Sequence, residues 1–233
     1  MHDHPASRIS LLFVTLVPLS AILLGTAFEY SGFDLWWVSR FYDLHTHSWP
    51  FKRHWFFKDV LHRGGQWFVM ATAAGSLIVL VMTFLSPKLR PFRKTFLFFI
   101  IATAAGPLLV SLGKQLTHIY TPWDLQIFYG EQPYIRIFDP VPVGAPVGEA
   151  FPAGHSSGGF AFMSLYFLMA HHHLASRQYG LLFGIILGTL FGLTQQIRGA
   201  HFPSHDLFSL AICWTATLAT SIAFYPQYWR RHP

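Results

Sequence analysis

Three short stretches concentrate the side chains able to move protons or hold anions: "KQLTHIYTPWD" (114–124), "FPAGHSSGG" (151–159) and "RGAHFPSHD" (198–206). Lys114 can meet a phosphate as a point charge, and Arg198 can grip it with a planar fork of donors. His155 and His201 are imidazoles able to trade protons near neutral pH. Gly154, His155, Ser156 and Ser157 stand at the head of an apolar run. There the free backbone N–H groups of a helix start, and the positive end of its dipole, form a ready anion site. Gly154 lets the backbone approach a ligand closely. Arg198 and His201 are three apart and share a face if one helix reaches both. Pro203 then breaks the chain, Ser204 is placed to cap the next helix, and Asp206 falls in its first turn, where a carboxylate can orient an imidazole.

The elements that must hold these residues are membrane helices. Of the 233 residues 52% are hydrophobic and 11% charged, with a mean hydropathy of +0.38; soluble domains carry roughly 25% charged residues. Six stretches are apolar enough to cross about 30 Å of hydrocarbon: Ile9–Phe28, Gln66–Leu85, Thr95–Gly113, Ser156–Ala170, Tyr179–Ile197 and Leu207–Tyr225. The expected fold is therefore all-α, a single-domain bundle of six transmembrane helices over residues 1–233, with an interfacial segment between the first two. "GTAFEYSGFDLWW" after the first span is no cleavage pattern, so that span reads as a retained helix. Cys213 is the one cysteine, which excludes an intrachain disulfide or a thiolate metal site.

Basic residues set the orientation. Lys88, Arg90, Arg93 and Lys94 lie in one short loop and Arg230 and Arg231 in the C-terminal tail; the positive-inside rule puts both on the cytoplasmic side, and an even number of spans then places the N-terminus, with Arg8, inside as well. The loop Glu29–Gly65 on the opposite side carries Arg40, Lys52, Arg53, Lys58 and Arg63 among Trp36, Trp37, Trp49, Trp55, Phe56 and Phe57. That composition suits a segment lying in the headgroup layer. This topology brings Lys114, His155, Arg198, His201, His205 and Asp206 to similar depth at the outer face. Ionisable groups at such depth are functional candidates. A single Lys or Arg there can be only a snorkelling anchor; the convergence of three separate segments is what points to chemistry. The "HHH" at 171–173 falls on the opposite side and reads as an interfacial cluster. The net charge of +6 is compatible with anionic partners and needs no nucleic acid to explain it.

Together the three stretches resemble the three-part signature of the type 2 phosphatidic acid phosphatase superfamily over the 93 residues from Lys114 to Asp206. Lys114 is followed after six residues by Thr121-Pro122, Pro152 to His155 reads "PAGH", and "RGAHFPSHD" stands for the third part. The sequence departs from the pattern at four places. Thr121 occupies the first motif's arginine position, Ala153 the serine position, Gln195 the third motif's arginine position and His205 its aspartate position, with Asp206 one residue late. The resemblance implies a metal-independent and cofactor-free phosphatase of the bacterial inner membrane, with its site facing the periplasm or exterior. It implies that His201 attacks phosphorus, that Asp206 or His205 orients it, and that His155 protonates the leaving group. Lys114 and Arg198, with Gly154, Ser156 and His205, hold the phosphoryl oxygens. The expected substrate is a lipid phosphate or diphosphate whose tail stays in the bilayer: undecaprenyl diphosphate, phosphatidylglycerol phosphate, phosphatidic acid or lipid A type. Neither the oligomeric state nor a role for His118 is legible. Three other readings stand beside this one: a lipid phosphotransferase using the same histidines, a non-enzymatic lipid-binding or transport protein, and a serine hydrolase built on the Gly154-His-Ser-Ser-Gly158 elbow.

Overall fold

The computed structural model describes residues 9–230; Arg8 and Arg231 lie outside them. The helices are α1 (Leu11–Tyr30), α2 (Phe33–Ser39), α3 (Gly64–Leu85), α4 (Arg93–Lys114), α5 (Gly154–Phe160), α6 (Ser164–His171), α7 (Arg177–Ile197), α8 (Pro203–Phe224) and α9 (Pro226–Arg230). A π-helical turn, Phe56–Arg63, leads into α3, and a 3-10 turn, Ala161–Met163, joins α5 to α6. Among the described residues there is no β-strand, only two isolated bridges.

Five helical stretches, ending in or comprising α1, α3, α4, α7 and α8, are long and apolar enough to cross a membrane, one fewer than the six read from sequence. The expected fourth span is helical, but in three pieces from Gly154 to His171. Its position explains the shortfall in hydrophobicity. Each of the five long helices exposes large apolar side chains, such as Leu23 on α1 and Leu85 on α3, whereas none between residues 154 and 171 does. A helix surrounded by protein has no need of lipid-facing leucines.

α7 makes room for this central run with Gly180, Gly184 and Gly188, four residues apart and so on one face. A Cβ on Gly184 would run into the backbone of Met163, and one on Gly188 into the ring of Phe160. α8 forms the other wall. Its Cys213 lies against Gly106 of α4, where a Cβ would come within 2.7 Å of the sulfur, so the free thiol is a packing residue. α4 continues through Pro107. In α1, Pro18 cannot donate to the carbonyl of Val14, and the indole Nε1–H of Trp214 donates to it instead at 2.8 Å. The orphaned acceptor thus fixes α1 along α8.

Candidate active site

The third signature segment is shaped by how α7 stops. Gly199 adopts φ +78°, a left-handed conformation that suits glycine. The turn is closed by Gly199 N–H to Gln196 O at 2.9 Å and Ala200 N–H to Gln195 O at 2.8 Å. Arg198 is therefore the C-cap of α7, and His201 lies on the connector beyond it, so the two do not share a helix face. Pro203 opens α8 as its first residue with Phe202 as N-cap, consistent with proline's fit at that position. Ser204 is thus inside the helix and does not cap it. The carboxylate of Asp34 takes that role, accepting from Ser204 N–H at 3.1 Å.

The second segment returns to the first by backbone pairing. Gly148 N–H donates to Thr117 O at 2.9 Å, Ala150 N–H to Ile119 O at 3.1 Å, and the Thr117 hydroxyl to Phe151 O at 2.7 Å. Gly154 consequently lies beside Lys114: a methyl placed on it would sit 3.5 Å from Lys114 Nζ. Ser209 of α8 ties down the same turn, its hydroxyl donating to Ala153 O at 2.9 Å.

These constraints enclose a cavity of about 600 Å³ whose wall includes Lys114, Gly154, His155 and His201. The ring of His155 stacks on Phe191 at 4.7 Å, and its Nε2 is buried without a partner. An orphaned ring nitrogen costs roughly 1–3 kcal/mol, the kind of deficit found where a ligand completes the bonding. His201 is 7% exposed. Burial, reinforced by the positive charge of Lys114, holds its imidazole well below the ordinary histidine value, so it is neutral at pH 7. His205 is buried behind it, with the two Nδ1 atoms 3.5 Å apart and the rings of Phe151 and Phe202 edge-on at 5.3 Å.

Residues 95–230 match the model of the PAP2 superfamily. The chain belongs to that superfamily. No curated protein and no solved structure matches it. PAP2 members are phosphatases, which supports a phosphoric ester hydrolase here.

Of the eight site residues expected from the resemblance, Lys114, Gly154, His155 and His201 line the cavity, and Ser156, Arg198, His205 and Asp206 do not. Ser156 is fully buried, and its hydroxyl donates to Ala153 O at 3.3 Å, an arrangement that offers no serine nucleophile. Arg198 donates from Nη1 to Gln195 Oε1 at 2.9 Å and from Nε to Lys52 O at 3.2 Å. Asp206 is turned toward α7: it lies against Gly192 and accepts from Gln196 Nε2 at 2.6 Å, while Gln196 accepts from the Trp37 indole at 2.7 Å. His205 is thus the neighbour of His201, and Asp206 is not. Thr121, at the first arginine position, donates to Asp124 at 2.5 Å. Among the described residues no three His, Cys, Asp or Glu side chains gather closely enough to hold a metal ion.

The remaining wall includes His62 and Gln66 at the head of α3 and Phe191 on α7, which the sequence does not single out, and Gln195, which stands at the third motif's arginine position. The loop 29–65 is only partly a surface band. Trp36 and Trp55 are exposed, but Trp49 turns inward onto Gly199, and the π-helical turn carries His62 to within 4.4 Å of the His155 ring. The rule that selected His155, an ionisable side chain at the outer end of a span, selects His62 equally well.

Proposed function

We propose that this protein hydrolyses a phosphate monoester or diphosphate on a membrane lipid, without metal, at the outer face of the bacterial inner membrane. The observation that carries the reading is the cavity in which Lys114, His155 and a neutral His201 stand together. The neutral imidazole of His201 attacks phosphorus and forms an N–P bond as the P–O bond to the lipid breaks. Protonated His155 gives its Nε2 proton to the departing oxygen. Water then attacks the phosphohistidine, His155 takes the water's proton, and inorganic phosphate leaves with His201 restored. Lys114 stabilises the charge that develops on the phosphoryl oxygens, and His205 orients His201.

A lipid substrate is supported by an adjoining apolar space of about 280 Å³ between α3 and α4, which shares Val69 and Pro107 with the catalytic cavity. Orientation rests on Lys88, Arg90, Arg93 and Lys94 at the opposite end of the helices. In this arrangement the run Gly154–His171 is a sixth crossing, enclosed by the other five. Phosphate release from phosphatidic acid, phosphatidylglycerol phosphate and undecaprenyl diphosphate micelles, measured with EDTA present, tests the proposal. Release should persist with chelator and collapse in His201→Ala and His155→Ala; full activity in either variant would overturn the mechanism.

A further inference from the structure

The cavity lacks both guanidinium groups that the PAP2 signature leads one to expect. Thr121 stands at one arginine position and is bonded to Asp124; Gln195 stands at the other. Gln195 has nevertheless a fixed orientation. A guanidinium has only donors, so the Gln195 atom facing Arg198 Nη1 at 2.9 Å must be the carbonyl oxygen. The amide nitrogen then faces His62 Nδ1 at 2.5 Å. Because that nitrogen donates, Nδ1 of His62 must accept, and the proton of the neutral ring resides on Nε2. Arg198 therefore sets the tautomer of His62 through Gln195, and His62 lines the cavity beside His155.

We infer that the His62 Nε2–H is a phosphate-binding donor, supplied from outside the signature in place of the missing arginines, with Gln195 and Arg198 as the residues that position it. This rests on the phosphoryl chemistry proposed above and adds a ligand contact that the three motifs do not contain. A neutral donor beside Lys114 leaves the cavity with one fixed cation where the family pattern has three. It also explains why a buried arginine bonds an amide at the cavity's edge.

Two measurements on the full chain in detergent micelles test the inference. In the lipid phosphatase assay, His62→Ala should lower kcat/KM about 100-fold, the scale of removing one oxyanion donor. His62→Gln, whose amide can place an N–H near the Nε2 position, should stay within about 10-fold of wild type. Equal losses in both variants, or no loss in His62→Ala, would overturn the role. The second measurement does not require turnover. In [15N]histidine-labelled protein, the His62 signal, identified by its absence from His62→Ala, should report a protonated Nε2 and a bare Nδ1. It should shift on titration with inorganic phosphate and lose its tautomer preference in Gln195→Leu. A His62 signal unmoved by saturating phosphate, or protonated on Nδ1, sinks the inference even if the wild type is an active phosphatase. If no lipid phosphate is hydrolysed, the proposed function falls while the titration still decides what His62 binds.

Discussion

The two ends of the helical bundle are built from the same side-chain types and use them in opposite ways. At the end bearing His171, cations and imidazoles pack closely against their neighbours, although His171 Nδ1, like His155 Nε2, is buried without a partner. Arg93 donates to Thr83 O at 2.8 Å and lies over Phe84; Lys94 lies over the Tyr225 ring; His171 bonds Ser221 at 2.8 Å and stacks on Tyr225 at 3.9 Å. His172 reaches Thr95 at 3.1 Å. At the other end Lys114 faces a cavity, and His155 keeps a buried nitrogen with no partner. Residue type and depth are shared by both ends. A leftover ring nitrogen is also shared, so what separates a structural cluster from a candidate reactive one is whether there is a cavity in front of it.

The largest test of that contrast pairs a histidine from each end. His201→Ala should cost at least about 1,000-fold in kcat/KM because it removes the proposed nucleophile. His171→Ala should leave kcat/KM within about 3-fold and instead lower the thermal midpoint, since it loses a stack and a hydrogen bond together worth roughly 1–3 kcal/mol. Comparable activity losses in the two would erase the distinction between the ends.

A smaller effect sharpens it. Lys114→Met should lower kcat/KM about 100-fold at pH 7 and also change the pH profile. In the proposed mechanism His201 reacts as the neutral ring, and its pKa is depressed by burial and by Lys114, so activity should fall as pH drops through that lowered value. Without the lysine charge the pKa rises toward the ordinary one, and the acid limb of kcat/KM should move to higher pH. A limb that stays in place would show that Lys114 exerts no field on His201.

The smallest effect concerns support of the site. Burial raises the Asp34 carboxyl from 3.8 to about 6, against the hydrogen bond from Ser204. The folded state thus holds this proton more tightly than the unfolded chain does, and stability is lost as pH rises from about 4 through 6. Asp34→Asn keeps an acceptor for Ser204 without the charge. It should be more stable than wild type at pH 7.5, by at most about 3 kcal/mol, and equally stable at pH 4. Thermal unfolding at the two values decides; an asparagine variant less stable at both would show that the ionised cap is the better one.

Lys114, His155 and His201 were legible in the sequence because charge at a span boundary is rare and the spacing between their segments is recognisable. His62 was hidden by its surroundings: tryptophans and basic residues read as a headgroup band, and nothing local shows that a π-helical turn swings one histidine inward. Gln195 was visible only as a departure from the motif's arginine; being uncharged, it gave no sign that it bonds Arg198 and faces His62. The choice between His205 and Asp206 depended on where α8 begins. With Pro203 as its first residue, position 205 faces His201, and position 206, about 100° further round, faces Gly192. Five of the six expected spans are long and apolar enough to cross a membrane, and the weaker hydropathy of the sixth, Gly154–His171, has a physical source. Lipid-facing helices need large apolar side chains on their surface, and the central run exposes none. The four-residue glycine spacing of α7 was in plain view and marks where that run packs.

The enclosed character of Gly154–His171 has a consequence for biogenesis. A segment is released into the bilayer by the insertion machinery according to its own apolarity, and this one opens with Gly-His-Ser-Ser-Gly-Gly. It presents a weak insertion signal, so its entry should depend on a strongly apolar neighbour, and the glycine-faced α7 emerges next from the ribosome. With this run crossing the bilayer as proposed, the same small and polar residues that shape the candidate site make it the stretch whose placement during synthesis should wait for the rest of the chain.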